Sequence, residues 1–563
     1  MKKNYLFTWL ICWLAFPAFA SRIAQKVYQY QADKSALERR YSNHFTDEYF
    51  QRMTLFYTDW QKQCNEIPFS TLSPEEKIDY LLLKNHLAKT TYFHQEAHNQ
   101  YKEVFDVTDF ATPIYAFTIA RRDAQKPNSP ALSAAFFAAN NATKAKIAAL
   151  KSRGPYTSWQ QAERAAEVVK GLAEAVKNAY EFYAGYDPEF SWWMPQPYKE
   201  LLASLTEYEK FLRGHYVNTV VKDDGSGIIG KPIGKKAIEK ELSYEMIPYS
   251  PEQLIAEAEK QYAWCEREMI KASQELGFGT NWRAALEKVK QTYLPAGEWP
   301  QEVHRFAVEA IDFIEKRDLV TVPPLAKETW RMTMMSAEAQ KVSPFFLGGE
   351  VIQIAYPTID MAHDDKMMSM RGNNPHFSHA TVQHELIPGH HLQQFMNQRY
   401  QPHRRLFSTP FWTEGWALYW EFNLWDKNFT RSPEDKIGML FWRMHRCARI
   451  VFSLNYHLEK MTPQQCIDYL VEKVGHERAN AEAEVRRSFT GRYGPLYQIA
   501  YMIGGLQFYS LKKELVDKGK ISEKQFHDTI LQNNSIPVEM VRAVLMNQNL
   551  TSDTMSSWKF LDK

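Results

Sequence analysis

The chain has 563 residues, of which 45% are hydrophobic and 24% are charged. It is therefore long enough to bury a large core and too apolar to be disordered. Its formal net charge is only +2, which argues against nucleic acid or an anionic membrane surface as a partner, because both favour strongly basic proteins.

The first 20 residues have the pattern of a secretory signal peptide. A positive start and an apolar stretch precede Ala18-Phe19-Ala20, which has small residues at the first and third positions of a cleavage site. A membrane anchor is the alternative, but the apolar run is shorter than the ~20 residues that span a bilayer. Cys12 would suit a lipoprotein, yet bulky Ile11 precedes it. We expect cleavage after Ala20, no stable membrane insertion afterwards, and a periplasmic or secreted protein.

Four cysteines remain after this cleavage: Cys64, Cys265, Cys447 and Cys466. They lie far apart without a Cys-x-x-Cys spacing, which excludes a zinc-thiolate site and a redox motif. Export places them in an oxidising compartment. Buried thiols are the simpler interpretation, and one disulfide stays open.

Most of the mature chain has the pattern of helix. Ser73, Ser250 and Ser432 each stand before proline with acidic residues in the first turn, which predicts three helix starts. Ser522 with Gln525 predicts a capping box. Two long helices are predicted as well, over residues 130–152 and 159–183, because alanine and charged residues alternate there with recurring apolar positions.

One segment is predicted to be a strand. Residues 348–357 are rich in β-branched residues and bounded by turn residues. An irregular stretch is expected over 360–375, and helix resumes near Ser378. We divide the mature chain into an N-terminal helical lobe, 21–340, and a C-terminal helical lobe, 341–563, which pack as one unit. The predicted fold class is mostly α, with a small β element before the helix that carries the chemistry.

The strongest chemical signal is His384-Glu385-Leu386-Ile387-Pro388-Gly389-His390-His391. Zinc hydrolases often place two ligands in His-Glu-x-x-His on one helix, but Pro388 occupies the position of the second histidine here. A straight helix would turn His390 away from His384 and carry His391 about 10 Å along its axis. Because Pro388 and the following glycine interrupt the helix, we favour His390 over His391 as the second ligand.

A third ligand is predicted on a later helix. Glu414 lies 24 residues after His390, a distance that allows a turn and an antiparallel return. Glu421 follows seven residues later, and we expect it to orient a ligand histidine. The combination predicts one Zn²⁺ ion held by His384, His390 and Glu414.

These two motifs, His-Glu-x-x-Pro-Gly-His-His and Glu-Gly-Trp-Ala-x-Tyr-x-Glu, resemble those of the bacterial domain-of-unknown-function family 885. That family is regarded as metallopeptidase-like and similar in fold to thimet oligopeptidase, neurolysin and Taq carboxypeptidase. The resemblance covers most of the mature chain, with weaker blocks at Arg446–Val451 with His457 and at Pro495–Gly504. Ser453 and Asn455 depart from the expected pattern before His457. The resemblance implies a two-lobed helical metallopeptidase with a deep central channel.

The motif and the resemblance together predict an exported zinc-dependent peptidase that hydrolyses short peptides. Glu385 is the expected general base toward a metal-activated water. In the similar peptidases a tyrosine from a late helix stabilises the oxyanion, and Tyr501 is the first candidate here, with Tyr497 and Tyr493 as rivals.

Several questions stay open at this level. The strand near 351–356 would suit pairing with an extended peptide, or it is a small structural hairpin. A zinc hydrolase of non-peptide amides or esters would use the same site, and a helical binding protein with an inactive metal site is a second alternative. Endopeptidase or exopeptidase action and the oligomeric state are not specified.

Overall fold

The computed structural model describes residues 21–219, 221–340, 343, 345–491 and 493–561. The predicted signal peptide lies outside the described residues. Within the described ranges, no helix combines the length and the apolar character needed to cross a membrane.

Helices make up most of the described chain, which confirms the mostly α class. The helices before residue 341 are α1 (Arg22–Arg40), α2 (Asp47–Asn65), α3 (Pro74–Lys102), α4 (Thr112–Arg122), α5 (Ser129–Arg153), α6 (Trp159–Tyr183), α7 (Pro188–Trp193), α8 (Pro195–Gly214), α9 (Gly234–Tyr244), α10 (Pro251–Glu275), α11 (Trp282–Lys290), α12 (Trp299–Lys316), α13 (Pro324–Thr329) and α14 (Ala337–Gln340).

The later helices carry the predicted chemistry. They are α15 (His363–Gly372), α16 (Pro375–Glu385), α17 (His390–Asn397), α18 (Pro410–Asp426), α19 (Pro433–His457), α20 (Pro463–Tyr469), α21 (Arg478–Phe489), α22 (Tyr497–Leu515), α23 (Glu523–Gln532) and α24 (Val538–Leu545). Short 3-10 segments lie at Phe69–Thr71, Phe105–Ala111 and Pro402–Phe407, and a π-helical turn lies at Leu470–Val474.

The predicted helix starts are confirmed. Ser73 and Ser250 form complete capping boxes at α3 and α10, and Ser432 caps α19. Ser522 caps α23 by accepting a hydrogen bond from the Gln525 backbone N–H. The two long helices predicted over 130–152 and 159–183 are α5 and α6.

Two expectations need correction. The stretch 360–375 is not irregular throughout, because α15 occupies its middle, where two aspartates in the first turn favour a helix start. The predicted strand is shorter, and it is not an edge. β3 (Val351–Ile354) is the centre of a three-stranded sheet, parallel to β1 (Arg331–Met334) and antiparallel to β2 (Phe346–Leu347). A peptide would therefore have to pair with β1 or β2.

Three hydrophobic cores hold the fold together. The largest draws on helices from both sides of residue 340 and includes Ile23, Leu254, Trp416 and Phe560. The second is built mainly from residues 101–212 of α4–α8. The third joins α12 and the sheet to the end of α16. All four cysteines among the described residues are buried and free. The division near residue 340 stays a prediction.

Helices α18 and α22 approach each other unusually closely. A Cβ atom on Gly415 would lie 2.5 Å from the Cα of Gly504, and one on Gly504 would overlap the Phe411 carbonyl oxygen. Only glycine permits this distance between backbones. The contact fixes Glu414 on α18 beside the start of α22, where Tyr497 and Tyr501 lie.

Candidate metal centre

The predicted break in the His384–His391 segment is present. Helix α16 ends at Glu385 and α17 begins at His390, and the Ile387–Pro388 peptide bond between them is cis. The Gly389 N–H donates to the Gln383 carbonyl (3.0 Å), and a Cβ on Gly389 would overlap the carbonyl of His384. The chain therefore folds back on the end of α16 and returns His390 to the side of His384.

Three predicted ligands meet at one point. The ligand atoms of His384, His390 and Glu414 all lie within 4.8 Å of one another, and all three side chains are buried. Oε2 of Glu414 is 3.3 Å from Nε2 of His390 and 3.7 Å from Nε2 of His384. This oxygen is buried and makes no hydrogen bond to any of the residues that the structure describes.

These distances suit a single zinc ion. Zinc takes imidazole nitrogen and carboxylate oxygen at about 2.1 Å, and two ligands in a tetrahedral arrangement are then about 3.4 Å apart. A buried carboxylate oxygen without a hydrogen bond is costly unless a cation or donor approaches it. The donor set of two histidines and one glutamate also leaves a fourth position for water. The residues present therefore fit the metal.

The Nδ1 atoms of His384 and His390 each contact a polar side chain. Nδ1 of His384 donates to Oε1 of Glu421 (2.8 Å), which leaves Nε2 free for a metal. The amide nitrogen of Gln393 lies 2.7 Å from Nδ1 of His390 and donates to the Thr413 carbonyl. The Gln393 amide therefore links His390 to the backbone of α18 and fixes the position of the His390 ring.

Electrostatics also favour a positive charge at this point. Burial by itself lowers the pKa of His384, but the carboxylates of Glu414 and Glu421 outweigh that effect and raise the pKa to about 9. Burial raises the pKa of Glu414, yet the two histidines hold it well below its usual range. Negative potential from the carboxylates is therefore concentrated where the three ligand atoms converge.

Two of the alternative residues lie elsewhere. Nε2 of His391 is 2.7 Å from the carbonyl oxygen of Ala326, so His391 ties α17 to α13. His457, at the end of α19, packs against Tyr456 and Phe489, and burial lowers its pKa to about 4. Neither lines the cavity at the triad. The chain break selects the first of the two adjacent histidines, and the far end of a long helix carries His457 away.

The three candidate tyrosines all reach the cavity. The Tyr497 hydroxyl donates to Oε1 of Glu414 (2.5 Å), and the Tyr501 hydroxyl donates to that of Tyr497 (3.3 Å). The ring of Tyr493 stacks on Tyr497 with centroids 4.2 Å apart. Tyr497 thus contacts the triad directly. Burial raises the pKa of Tyr501 to about 12, so its hydroxyl stays a donor at neutral pH.

The triad opens into a cavity of about 250 Å³. Glu385 lines it, and a Cβ atom on Gly348 would overlap the carboxylate of Glu385. The Gly349 N–H donates to the Glu385 carbonyl (3.2 Å). The loop that follows β2 therefore lies directly against the predicted general base, and its two glycines allow that approach.

Sequence reasoning gave no role to several residues that face this cavity: Thr381, Gln394, Trp442, Arg446, Arg449 and Arg487. Gln393, which contacts His390, was also missed. The available signal was the spacing of Arg446 and Arg449, which stand three residues apart and so share one face of α19. In a helix as apolar as this one, two arginines on one face indicate a buried charge network.

Comparison with known proteins identifies the family. Residues 26–545 match the family described as "Bacterial protein of unknown function (DUF885)". The chain belongs to this family. The chain matches no protein that has a curated description.

Two solved structures of other bacterial proteins are similar in fold. A candidate lipoprotein of unknown function from Shewanella oneidensis is 18% identical, with a TM-score of 0.67 over 94% of this chain and 100% of its own. A candidate lipoprotein from Colwellia psychrerythraea is 15% identical, with a TM-score of 0.57 over 93% of this chain and 98% of its own. At these identities the similarity shows the fold alone.

Proposed function

We propose that this protein is an exported, zinc-dependent peptidase that hydrolyses short peptides. One observation carries the proposal: the ligand atoms of His384, His390 and Glu414 converge at the edge of a cavity that Glu385 also lines. Among the described residues, Oε2 of Glu414 is buried there without a hydrogen bond. A purely structural metal site would not need an additional carboxylate beside an open cavity.

In this proposal each side chain has a defined task. Zinc, when bound, supplies the Lewis acidity that activates a water and polarises the substrate carbonyl. Glu385 accepts the proton of the attacking water and passes it to the amine that leaves when the C–N bond breaks, so that one water is consumed per bond. Glu421 keeps His384 in the tautomer that presents Nε2 to the metal.

The oxyanion requires a hydrogen-bond donor besides the metal. Tyr501 is our candidate because its hydroxyl bonds only to another hydroxyl, that of Tyr497, among the described residues. Tyr497 is the rival, and its proton is engaged by the Glu414 carboxylate. Replacement of each tyrosine by phenylalanine separates them, since loss of an oxyanion donor lowers kcat by about 100-fold or more.

A peptide substrate is favoured by the wall of the cavity that the sheet provides. Phe346, Leu347 and Gly348 line it, and they belong to β2 and the residue after it. β2 pairs with β3 on one side only, so its other edge offers backbone groups to an extended peptide.

Export is supported by two separate observations. The first 20 residues have the pattern of a signal peptide, and the two similar solved proteins are both described as candidate lipoproteins. Cleavage after Ala20 predicts a mature N-terminus at Ser21, which mass spectrometry of the exported protein would show.

The proposal is tested by metal analysis together with digestion of a peptide library. We expect one zinc per chain and cleavage that stops on removal of the metal and returns with zinc. Glu385→Gln should retain zinc and lose nearly all hydrolysis. A zinc-loaded wild-type protein that cleaves no peptide would overturn the proposal. Cleavage of amide or ester substrates only would then identify a different hydrolase, and no hydrolysis at all would indicate a binding protein.

A further inference from the structure

Three arginines line the same cavity as the triad. Arg446 and Arg449 lie on α19 and Arg487 lies on α21. Arg446 and Arg449 are only 5% and 3% exposed. Burying a guanidinium costs several kcal/mol unless it is paired and fully hydrogen-bonded, so each of them requires a partner.

Two of the three have an internal partner. Nε of Arg449 donates to Oε1 of Glu484 (2.7 Å), and Nε of Arg487 lies 3.0 Å from Oε2 of the same residue. Nη1 of Arg449 is nevertheless buried without a hydrogen bond. One carboxylate therefore serves two guanidiniums and leaves donors unused.

Arg446 is left without a comparable partner. Its nearest ion-pair contact is Oε1 of Glu421 at 4.0 Å, and that oxygen already accepts from His384 at 2.8 Å. Nε of Arg446 is buried without a hydrogen bond among the described residues. If neutralising Glu421 were its only task, direct contact would be expected, because Oε2 of Glu421 is also buried and unpaired.

Aromatic rings hold these guanidiniums beside the metal centre. Arg446 lies 4.6 Å and Arg449 4.5 Å from the ring centroid of Tyr501. The Tyr501 ring is nearly parallel to that of His384, with centroids 6.2 Å apart. The arginines are thus separated from a metal ligand by a single aromatic ring. By this path the guanidiniums lie no more than about 11 Å from the His384 ring, and a peptide extends at most about 3.5 Å per residue, so about three residues are enough to span it.

The charge balance also favours an anion. Glu385, Glu414, Arg446, Arg449 and Arg487 line the cavity, and two further carboxylates, Glu421 and Glu484, pair with His384 and Arg449. With neutral histidines as ligands, a divalent cation changes the net charge of this group from one negative to one positive. A substrate with one carboxylate restores neutrality.

We propose that Arg446 and Arg449 bind the C-terminal carboxylate of the peptide, so that the enzyme cleaves within about three residues of the C-terminus. This inference rests on the proposed peptidase function and names its substrate class. Guanidinium groups bind carboxylates through paired, charge-assisted hydrogen bonds, and Arg446 and Arg449 both line the cavity beside the triad. An acidic side chain has the same chemistry, and the experiment separates the two.

The test uses three acetylated tetrapeptides. Two are tetra-alanine, one with a free C-terminal carboxylate and one with a C-terminal amide, and the third is an amide of three alanines followed by glutamate. We expect the zinc-loaded wild-type protein to cleave the free acid with a kcat/KM at least ~30-fold above that of either amide. Equal kcat/KM for the acid and the plain amide would overturn the inference. A preference for the glutamate amide would instead assign the arginines to an acidic side chain.

Variants locate the effect. Arg446→Gln should lower the ratio of kcat/KM for the free acid to kcat/KM for the amide at least ~30-fold, and Arg446→Lys should retain part of the preference. Arg443→Gln is the matched control, because Arg443 lies one turn earlier on α19 and stacks on Trp264 and Phe422 instead. An unchanged acid preference in Arg446→Gln would contradict the assignment of Arg446.

Binding gives a readout that does not depend on turnover. Calorimetry with the Glu385→Gln protein should show the free acid binding at least ~30-fold more tightly than the amide. If wild-type protein cleaves no peptide while this preference persists, the peptidase proposal fails and carboxylate binding stands. If the amide is cleaved and bound as well as the acid, the peptidase proposal stands and the proposed carboxylate binding fails.

Discussion

The helices α4–α8 and the helices α16–α22 both build buried cores, but from different residues. Between residues 101 and 215 the described buried polar residues are all uncharged, such as Ser133, Asn140 and Thr143. Between residues 375 and 515 buried charged groups are common, among them Glu414, Arg449 and Glu484. The core of α4–α8 is separate from the largest core of the protein and includes Ala166, Val169 and Leu172.

The comparison separates α4–α8, whose buried residues contribute to folding alone, from α16–α22, which bury charged groups as well. Apolar burial of about 25 cal/mol per Å² is sufficient to hold α4–α8 together. The same contribution is available to α16–α22, which are rich in tryptophan and phenylalanine. Buried charges there oppose folding unless paired, so their presence indicates chemistry.

Replacement of His390 by alanine should abolish stoichiometric zinc binding, with a loss of affinity greater than ~100-fold, because ligand loss exceeds the effect of residues behind the ligands. His391→Ala should retain zinc and lose about 1 kcal/mol of stability, since His391 only bonds the Ala326 carbonyl. Metal content after dialysis and denaturant unfolding distinguish the two variants. Equal zinc loading in both variants would contradict the assignment of His390, and not His391, as a ligand.

Glu484 should make the charged core sensitive to acid. Burial raises its pKa, but Arg449 and Arg487 outweigh this and hold the pKa at about 2. A depressed pKa stabilises the fold fully above the pKa of the unfolded chain, and this stability is lost as the pH falls toward 2.

Glu484→Gln should therefore cost about 3 kcal/mol at pH 7, and less as the pH approaches 3. The exposed Glu174 on the apolar side of the comparison provides the control, because Glu174→Gln should change stability by less than about 0.5 kcal/mol at both pH values. Urea unfolding at pH 7 and pH 3 measures both. A cost that does not shrink with acid would contradict the assignment.

Gly415→Ala should destabilise the protein by about 2 kcal/mol, because the added methyl group meets the backbone of Gly504. Gly214→Ala, at the end of α8, meets nothing within 4 Å and should be neutral or stabilising by up to about 1 kcal/mol. Thermal unfolding of the two variants checks the contrast. A neutral Gly415→Ala would mean that α18 and α22 can separate at little cost.

Glu421→Gln should weaken zinc binding about tenfold, because it removes the anionic acceptor that holds His384 in the ligating tautomer. Competition with a chromophoric chelator measures the affinity. Unchanged affinity would reassign Glu421 to balancing the charge of Arg446, 4.0 Å away.

The sequence predicted the helical class, the long helices and most helix starts, because those depend on local patterns such as Ser-Pro-Glu at a helix start. It also predicted that Pro388 interrupts the helix and that His390 returns to His384. These inferences required only the geometry of one segment. The helix α15 was missed because its residues, including Met367, Met368 and Met370, show no clear apolar periodicity.

The contacts between distant segments were beyond local patterns. Strand order depends on which segments pair, so the sequence left open whether β3 could accept an extended peptide or belonged to a small hairpin, and β3 lies at the centre of a three-stranded sheet. The position of Gly348 against Glu385 depends on packing across 37 residues of chain. The charge network of Arg446, Arg449 and Glu484 joins two helices, and neither helix reveals its partner in its own sequence.

The glycine contact between α18 and α22 has a mechanical consequence. Because Gly415 and Gly504 bring the two backbones together, Glu414 and the tyrosines of α22 belong to one stiff unit. Any movement that admits a substrate must leave this pair intact and displace another wall. β2 and the loop at Gly348 lie on another wall of the cavity and are not part of this pair of helices.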